Sequence, residues 1–181
     1  MAETTTISER QQAFIEAQEM FFVATAPLAA DGTVNLSPKG LGDTFVVLDA
    51  STMAWLDLYG SGIETTAHIL ENGRVCLMFC AFEGTPNILR LQGRGEVLAP
   101  SDDDYASLLT RFPPLPGARS IIRVHLDRVA DSCGFGVPLY EFRGQRTELP
   151  DSAANRGEHR IRERINAKNA TSIDGLPGVS R

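Results

Sequence analysis

Short apolar runs bounded by turn residues recur along most of the chain, and they constrain the fold more than any other feature. Each run has the length and the alternating or β-branched pattern that is typical of a β-strand. Turns or single helices separate the runs, unlike the regular strand-helix alternation of a parallel sheet. The runs are MFFVATA, TVNLS, DTFVVLD, MAWLDLY, RVCLMFCAF, NILRLQGRGEVL and ARSIIRVHLDRVAD. They predict a mainly β fold, an antiparallel barrel of six or seven strands with peripheral helices, whose closure removes exposed strand edges.

Helices are predicted at the two ends of the chain and at two places between strands. Ser8 and Gln11 have the S-x-x-Q spacing of a capping box, and Ser61 and Glu64 have the equivalent S-x-x-E spacing. Gly73 fits the end of the second helix. The predicted helices cover residues 8–20 and 61–72, a segment that begins at 101–104, and residues 155–169. We expect a single split-barrel domain over residues 1–181, with an N-terminal helix within 1–20 and a C-terminal helix and tail within 150–181.

Composition and charge argue against several classes of protein. The net charge is −6 at pH 7, whereas a protein that binds nucleic acid through its overall field is usually basic. No apolar run reaches the roughly 18 residues that a membrane helix needs. The first residues lack the basic and apolar regions of a secretory signal, and the three cysteines suggest no disulfide framework. We therefore expect a cytoplasmic protein with neither nucleic acid nor membrane as a partner.

Common catalytic and metal-binding motifs are absent from the sequence. It contains no G-x-x-x-x-G-K-[ST] loop, no H-E-x-x-H and no G-x-S-x-G elbow. His68, His125 and His159 fall in different predicted elements without the spacing of metal ligands. Cys76 and Cys80 share one face of a strand but lie about 13 Å apart, too far to share one zinc ion. The sequence therefore assigns no catalytic residue and no metal site.

Two stretches carry residue types that bind a phosphate. In VNLSPKG a strand ends in Ser37, Pro38 and Lys39, and alternation places the hydroxyl and the ammonium on one face. In YGSGIETTAH a strand leads into a helix start, where free amides and the helix dipole favour an anion, and Thr65 and Thr66 add hydroxyls. Each stretch also has a plainer interpretation, as a strand end with a surface lysine and as a helix start capped by its own side chains. On these residues alone, both interpretations stay open.

The order of these segments resembles the pyridoxamine 5′-phosphate oxidase-like family, the FMN-binding split β-barrels. The resemblance is nearly continuous from MFFVATA to SIIRVHLDRVADSCGFGVP and extends into the tail NAKNATSIDGLPG. The motifs NLSPKG, GSGIET, MFCAFEG and DSCGFGVP are similar to those of an uncharacterised branch of this family. The resemblance implies a homodimer with two flavin sites at the subunit interface.

By the same resemblance, ten residues would surround the flavin. Ser37 and Lys39 would face the phosphate and ribityl chain of FMN. Thr65 and Thr66 occupy the region where family members contact the phosphate. The remaining residues are Leu58, Tyr59, Gly60 and Ser61, which would line the flavin, and Arg90 and Gln92, at positions where a side chain from the partner subunit approaches the ring.

The sequence departs from pyridoxamine phosphate oxidase itself at the start of the second helix. The oxidase carries an Arg-Lys pair where this chain has Ile63, Glu64 and Thr65, and the tail lacks the oxidase's Arg-Leu ending. The resemblance therefore implies an FMN-dependent oxidoreductase of unknown small-molecule substrate, with hydride transfer between the flavin N5 and a substrate or a nicotinamide. Two alternatives stay open: a non-catalytic split-barrel module that binds the deazaflavin F420, haem or a tetrapyrrole, and a structural dimer with a vestigial groove.

Overall fold

The computed structural model describes residues 4–178 as one seven-stranded antiparallel sheet with four helices. The strands are β1 Phe21–Thr25, β2 Asn35–Lys39, β3 Phe45–Asp49, β4 Thr52–Leu58, β5 Arg74–Cys80, β6 Ile88–Leu98 and β7 Ala118–Ser132. The helices are α1 Glu9–Glu16, α2 Glu64–Asn72, α3 Asp103–Leu109 and α4 Glu148–Lys168. The strand order is β2-β1-β5-β6-β7-β4-β3. The predicted fold class, mainly β with peripheral helices, is confirmed.

The sheet curls so that strands far apart in its order meet in one core. β1 is second in the order and β3 is last, yet the rings of Phe21 and Phe45 lie 4.9 Å apart in an edge-to-face contact. Phe79 on β5 touches both rings, and Trp55 on β4 also packs against Phe21. Offset and edge-to-face arrangements are the favoured geometries for aromatic pairs. The aromatic group therefore fills the barrel interior from both ends of the sheet.

Strand β4 is buried on both faces because the sheet is covered there on the outside as well as the inside. Met53 and Trp55 point into the barrel core. Ala54 and Leu56 point outward and pack against Tyr105 and other apolar residues on or near α3. Asp57 follows in the inward row of Met53 and Trp55, so alternation carries a carboxylate into the interior.

Two register shifts shape strand β7. Opposite β6 the register shifts between Gln92 and Gly93. Opposite β4, Asp57 pairs with Ser120 and Leu58 pairs with Ala118, which leaves Arg119 as the extra residue of a bulge. Bulges of this kind redirect side chains and are frequent next to functional sites.

The predicted helix starts are correct at one end of the chain and need correction elsewhere. The capping box at Ser8 is confirmed, with Gln11 as its second member. The box predicted for Ser61 and Glu64 is wrong: α2 begins after Ile63 without a side-chain cap. The carboxylate of Glu64 instead accepts the backbone N–H of Ile173, 3.3 Å away in the C-terminal segment.

The starts of α3 and α4 also differ from those that the sequence predicts. The N-cap of α3 is Asp102 rather than the predicted serine; its carboxylate does not cap the helix but accepts the N–H of Ala99. Helix α4 begins earlier than predicted and contains a kink at Gly157, whose φ is 74°. Within residues 4–178, no helix is both long and apolar enough to cross a membrane.

The C-terminal segment after α4 lies against the loop that leads into α2. The side-chain amide of Asn169 faces the carbonyl of Gly60 at 3.5 Å. Asp174 accepts hydrogen bonds from the backbone and the hydroxyl of Thr33, at 2.9 and 3.0 Å. A β-carbon on Gly178 would collide with the backbone carbonyl of Asn169. The SIDGLPG stretch, whose role the sequence left open, thus holds the start of α2 and the start of β2 together.

We predict that Gly93→Ala destabilises the fold far more than a surface glycine replacement. A β-carbon at Gly93 would overlap the backbone carbonyl of His125 across the register shift, where neither strand can move aside easily. Overpacking of this kind costs about 2 kcal/mol or more of unfolding free energy. Urea denaturation followed by circular dichroism measures the loss.

The matched control is Gly136→Ala, because a β-carbon there meets nothing within 4 Å. This control should unfold within about 0.5 kcal/mol of the parent protein. Equal stability of the two variants would contradict the described β6–β7 register.

Candidate functional site

Strand β2 presents a row of polar side chains to the barrel interior. Asn35, Ser37 and Lys39 pair in register with the inward residues Thr25, Val23 and Phe21 of β1, so all three share one face. Ser37 and Lys39 therefore lie on one face, as the alternation predicts. The intervening residues of β2 are exposed on the outside of the sheet. The row faces the start of α2.

The centre of the site is a buried carboxylate with two cationic neighbours. The Asp57 side chain has no exposed surface. Its Oδ2 accepts a 2.5 Å hydrogen bond from Arg119 Nε, and its Oδ1 lies 3.6 Å from Lys39 Nζ. The hydroxyls of Thr66 and Ser120 each approach Oδ2 at 3.4 Å. We call these five residues the Asp57 cluster.

The Asp57 cluster joins parts of the chain that are distant in the sheet. Lys39 is on β2 at one edge, whereas Asp57 is on β4 near the opposite edge. Arg119 reaches Asp57 because it is the extra residue of the bulge between β4 and β7. Its guanidinium also donates to the carbonyl of Gly62 at 3.0 Å and to the side-chain oxygen of Asn169 at 2.9 Å. One buried guanidinium thus fixes the loop before α2 and the C-terminal segment.

The charge state of Asp57 follows from competing effects. Burial raises the pKa of this carboxyl, but the charges of Arg119 and Lys39, with the hydrogen bonds from Arg119 and Ser120, lower it by more. The net effect holds the pKa of Asp57 below its ordinary value, so the group is an anion at neutral pH. Its Oδ1 accepts no hydrogen bond from any residue in the described range 4–178.

A second set of contacts, the Asn35 network, lies beside the Asp57 cluster. The amide nitrogen of Asn35 donates to the hydroxyls of Thr25 at 3.1 Å and Thr65 at 2.9 Å. Its oxygen accepts the hydroxyl of Ser37 at 3.0 Å. The Thr25 hydroxyl also lies 3.0 Å from Nδ1 of buried His68. The network therefore fixes the orientation of Asn35 between β1, β2 and α2.

Two cavities flank the polar row of β2. One of about 460 Å³ has Lys39 on its wall, with Phe21, Phe45 and Phe79 among its other lining residues. The other, of about 400 Å³, is lined by residues of the β2 start, the α2 start and the C-terminal segment, including Asn35. The first amides of α2 have no side-chain cap among the described residues. The ammonium of Lys39 therefore borders the larger cavity, whereas Asn35 and the start of α2 border the smaller one.

The structure brings some of the predicted site residues together and separates others. Ser37, Lys39, Thr65 and Thr66 meet between β2 and α2. Ser61 is exposed on the wall of the smaller cavity.

The residues at the end of β4 are mainly engaged with other elements. Leu58 packs in the cluster under α3. Tyr59 is buried against α4, and its hydroxyl lies 3.3 Å from the Ser152 hydroxyl. Gly60 faces Asn169 through its carbonyl. The prediction that these residues line a flavin stays a prediction.

Arg90 and Gln92 lie on the outer face of β6, opposite the inward row of Lys39. Arg90 donates to the Ser132 hydroxyl at 2.7 Å, and Gln92 accepts from Arg128 at 2.7 Å. They share this outer face with Met78 and Cys76 of β5, their partners in register. Within one chain they do not reach the Asp57 cluster, so the predicted contact with the ring requires a second subunit.

Four contributors to the site were not predicted from the sequence: Asp57, Arg119, Asn35 and Asn169. Asp57 carried a signal, because a single acid in the apolar run MAWLDLY needs a buried partner. The identity of that partner depends on the pairing of β4 with β7 and on a bulge, neither of which the local pattern contains. Asn35 lies in the VNLSPKG stretch, together with the predicted residues Ser37 and Lys39.

The donor set fits an anionic or polyhydroxylated ligand. Lys39 and the first amides of α2 are groups that can donate hydrogen bonds, and the Thr65 hydroxyl, which accepts from Asn35, adds a further polar group. Within residues 4–178, no group of three His, Cys, Asp or Glu residues converges on one point.

Sequence comparisons place the chain with one family. The family model described as pyridoxamine 5′-phosphate oxidase matches residues 7–133. The chain is 39% identical over 180 residues to the pyridoxamine 5′-phosphate oxidase family protein ustO of Aspergillus flavus. That match covers 90% of this chain and 71% of the relative.

Structure comparisons show the same fold at low sequence identity. A crystal structure described as a candidate pyridoxamine 5′-phosphate oxidase of Lactobacillus delbrueckii matches with a TM-score of 0.55 and 19% identity, over 72% of this chain and 99% of that one. An FAD-binding protein of Mycobacterium smegmatis matches with a TM-score of 0.50 and 15% identity, over 71% and 97%. An FMN-binding protein of Syntrophomonas wolfei matches with a TM-score of 0.50 and 12% identity, over 68% and 84%.

We predict that Asp57→Asn lowers the unfolding free energy by about 3 kcal/mol at pH 7, because it leaves the Arg119 charge buried without its counterion. The folded-state pKa of Asp57 lies below the unfolded value. Its stabilisation is therefore present above the unfolded pKa and is lost as the pH falls through the folded pKa. The gap between parent and variant should narrow below about pH 4.

Urea denaturation at several pH values between 7 and 3 measures this gap. Asp127→Asn is the matched control, because Asp127 is exposed on β7 and pairs only loosely with Arg94. The control should change stability by less than about 1 kcal/mol. A gap for Asp57→Asn that is the same at every pH would contradict a charged, stabilising Asp57.

Proposed function

The chain belongs to the pyridoxamine 5′-phosphate oxidase family, and from this premise we propose that it binds a flavin, FMN first, and acts as an oxidoreductase on a small molecule. The observation that carries the proposal is the inward row of β2, where Lys39 and Ser37 face the uncapped start of α2. Solved structures of this fold include proteins described as binding FMN and FAD, which supports a flavin over other ligands.

In this proposal the polar end of the barrel holds the side chain of the flavin. Lys39 supplies the cation for a phosphate, and the first amides of α2 add neutral donors. Ser37 and Thr65 supply hydroxyls for the ribityl chain, and Asn35 fixes the orientation of both. These are the residue types that a polyol phosphate requires, so the site fits the cofactor.

The cofactor supplies hydride chemistry at its N5 atom, and the protein supplies position and exclusion of water. The titratable groups of the site do not serve as acid or base. Asp57 is fully buried and held as an anion by Arg119, and His68 is enclosed and engaged with Thr25. We propose that this chain binds and orients its reactants, a nicotinamide or a small oxidisable or reducible molecule, without a proton-transfer residue in the cluster.

Oxidation of a vitamin B6 phosphate is not the proposed reaction. The start of α2 reads Ile63, Glu64 and Thr65, and the Glu64 carboxylate accepts a hydrogen bond from Ile173. An acid at this place lowers the positive potential near the start of α2, so this end of the site binds phosphate groups less strongly than an Arg-Lys pair would. The substrate class is therefore left as a small molecule without a strongly anionic end.

We propose a homodimer that forms through the outer face of β1, β2 and β5. Phe22 on β1 pairs in register with Pro38 of β2 and Met78 of β5, and Ala24 pairs with Leu36 and Cys76, so these side chains share one face. Leu36 is 63% exposed, and the others on β1 and β5 are half-buried. Arg90 and Gln92 continue this face on β6, so the proposed dimer places them at or beside the interface; their approach to a flavin of the partner stays a prediction.

The proposed compartment is the cytoplasm. Cys76, Cys80 and Cys133 are free thiols, which is typical of a reducing compartment. Burial raises the pKa of the Cys76 and Cys80 thiols, so neither is set up as a reactive thiolate.

We predict that the protein purifies with a bound flavin or takes one up. The visible spectrum of the purified protein should show flavin absorbance that dithionite or a nicotinamide bleaches, and mass spectrometry should identify FMN. Stripped protein should bind FMN with a dissociation constant in the micromolar range or below, measured by quenching of flavin fluorescence.

Other spectra would select the alternatives. A Soret band would indicate haem or a tetrapyrrole, and a co-purified deazaflavin would indicate F420. Either result would contradict the FMN-dependent oxidoreductase and favour the non-catalytic binding module. A colourless protein that does not bind FMN at micromolar concentration would contradict the proposed flavin binding and favour a structural role.

We predict that Met78→Arg converts the dimer into a monomer. The substitution places a charge in the centre of the proposed apolar face, where it would lose its water on association. Sedimentation velocity measures the mass. The control is Leu70→Arg, since Leu70 is half exposed on α2, away from this face, and this variant should stay dimeric. A parent protein that is monomeric at micromolar concentration would contradict the homodimer.

A further inference from the structure

Lys39 stands between a buried anion and the cavity. Its side chain is 24% exposed on the wall of the larger cavity, whereas the Asp57 side chain 3.6 Å beneath it is fully buried. A ligand phosphate that approaches Lys39 from the cavity therefore meets an ammonium that already has a counterion on its other side.

The remaining charges of the site do not leave an excess of cations. Arg119 is buried, and its guanidinium is engaged by Asp57, the carbonyl of Gly62 and the side chain of Asn169. Glu64 adds a carboxylate in the first turn of α2. Lys39 and Arg119 thus share the single charge of Asp57. The wall of the larger cavity adds one further cation and three acids, which are Arg111, Glu16, Glu19 and Asp43, so the cations around the larger cavity do not outnumber the acids.

We propose that Asp57 is an internal counter-anion that neutralises Lys39 and thereby limits how much the phosphate of a bound flavin contributes to affinity. Asp57 does not touch the ligand in this proposal, because Lys39 covers it; it is a positioning residue that acts through Lys39. The inference rests on the proposed flavin function and deepens it: the site recognises the flavin by its ring and polyol chain, and it accepts flavins with and without the phosphate.

The quantity that tests this is the phosphate increment, defined as the dissociation constant of riboflavin divided by that of FMN. Riboflavin has the same ring and polyol chain and lacks the phosphate, so a general loss of folding or packing changes both constants and leaves their ratio alone. For the parent protein we expect an increment within about threefold of one, because the net charge around the phosphate is close to zero.

The substitutions Asp57→Asn and Lys39→Ala should move the phosphate increment in opposite directions. Asp57→Asn keeps the shape of the side chain and frees the ammonium, so the increment should rise by about tenfold or more, as for an added hydrogen bond to a charged group. Lys39→Ala removes the ammonium and leaves the acids, so the increment should fall below one, with riboflavin bound more tightly than FMN.

Flavin fluorescence titrations of the stripped protein at low salt give both constants. Asp127→Asn is the matched control: it is the same chemical change at an exposed position on β7, and its increment should equal that of the parent. If Asp57→Asn does not fold, the phosphate increment of Lys39→Ala tests the inference alone. If Asp57 did not neutralise Lys39, the parent increment would be large and Lys39→Ala would lower it to one. If Asp57 does neutralise Lys39, Lys39→Ala should bind riboflavin more tightly than FMN.

Three outcomes would overturn the inference. One is a parent increment of a hundredfold or more, typical of a site with uncompensated cations. Another is an increment that Asp57→Asn leaves unchanged, and the third is an increment of one for Lys39→Ala. In each of these the protein still binds flavin, so the proposed function stands. If the parent binds neither riboflavin nor FMN, the proposed function fails first, and the inference falls with it.

Discussion

The ion pairs of Asp57 hold the architecture together at the place where the barrel is split. Hydrogen bonds between neighbouring strands secure β4 to β7 and β2 to β1, but β2 and β4 are not neighbours in the sheet. Lys39 and Asp57 connect these two strands directly. Arg119 then links the same carboxylate to the loop before α2 and to the segment after α4. Four separate parts of the chain therefore depend on one buried negative charge.

The functional character of the site follows from this arrangement. Because Arg119 fixes the carbonyl of Gly62, α2 begins at a defined position, and no side chain caps its first turn. The Asn35 network then sets the threonine and serine hydroxyls that border the same space. The C-terminal segment completes the wall through Ile173 and Asp174. A polar recess is built from residues that are far apart in sequence, around a core that is otherwise apolar.

The sequence predicts much of this fold and about half of this site, for identifiable reasons. Strand alternation is local, so it places Ser37 and Lys39 on one face and finds the seven strands. The structure at the start of α2 depends on a residue distant in sequence. Glu64 has the spacing of a capping residue, but its carboxylate accepts the backbone N–H of Ile173 instead. Arg119 likewise meets Asp57 only because β7 pairs with a non-sequential strand and bulges there. Patterns within a short window contain none of this information.

The buried charges are better explained by binding than by stability. An interior ion pair is often no more stable than well-packed apolar residues of the same volume, because each charge loses its hydration on burial. The barrel already has a large aromatic core that could continue through positions 39, 57 and 119. Placing a lysine, an aspartate and an arginine there instead keeps one ammonium at the cavity wall in a fixed position. Removal of all three charges together would therefore leave the fold intact, whereas the cavity wall would lose its ammonium group and the carboxylate that neutralises it.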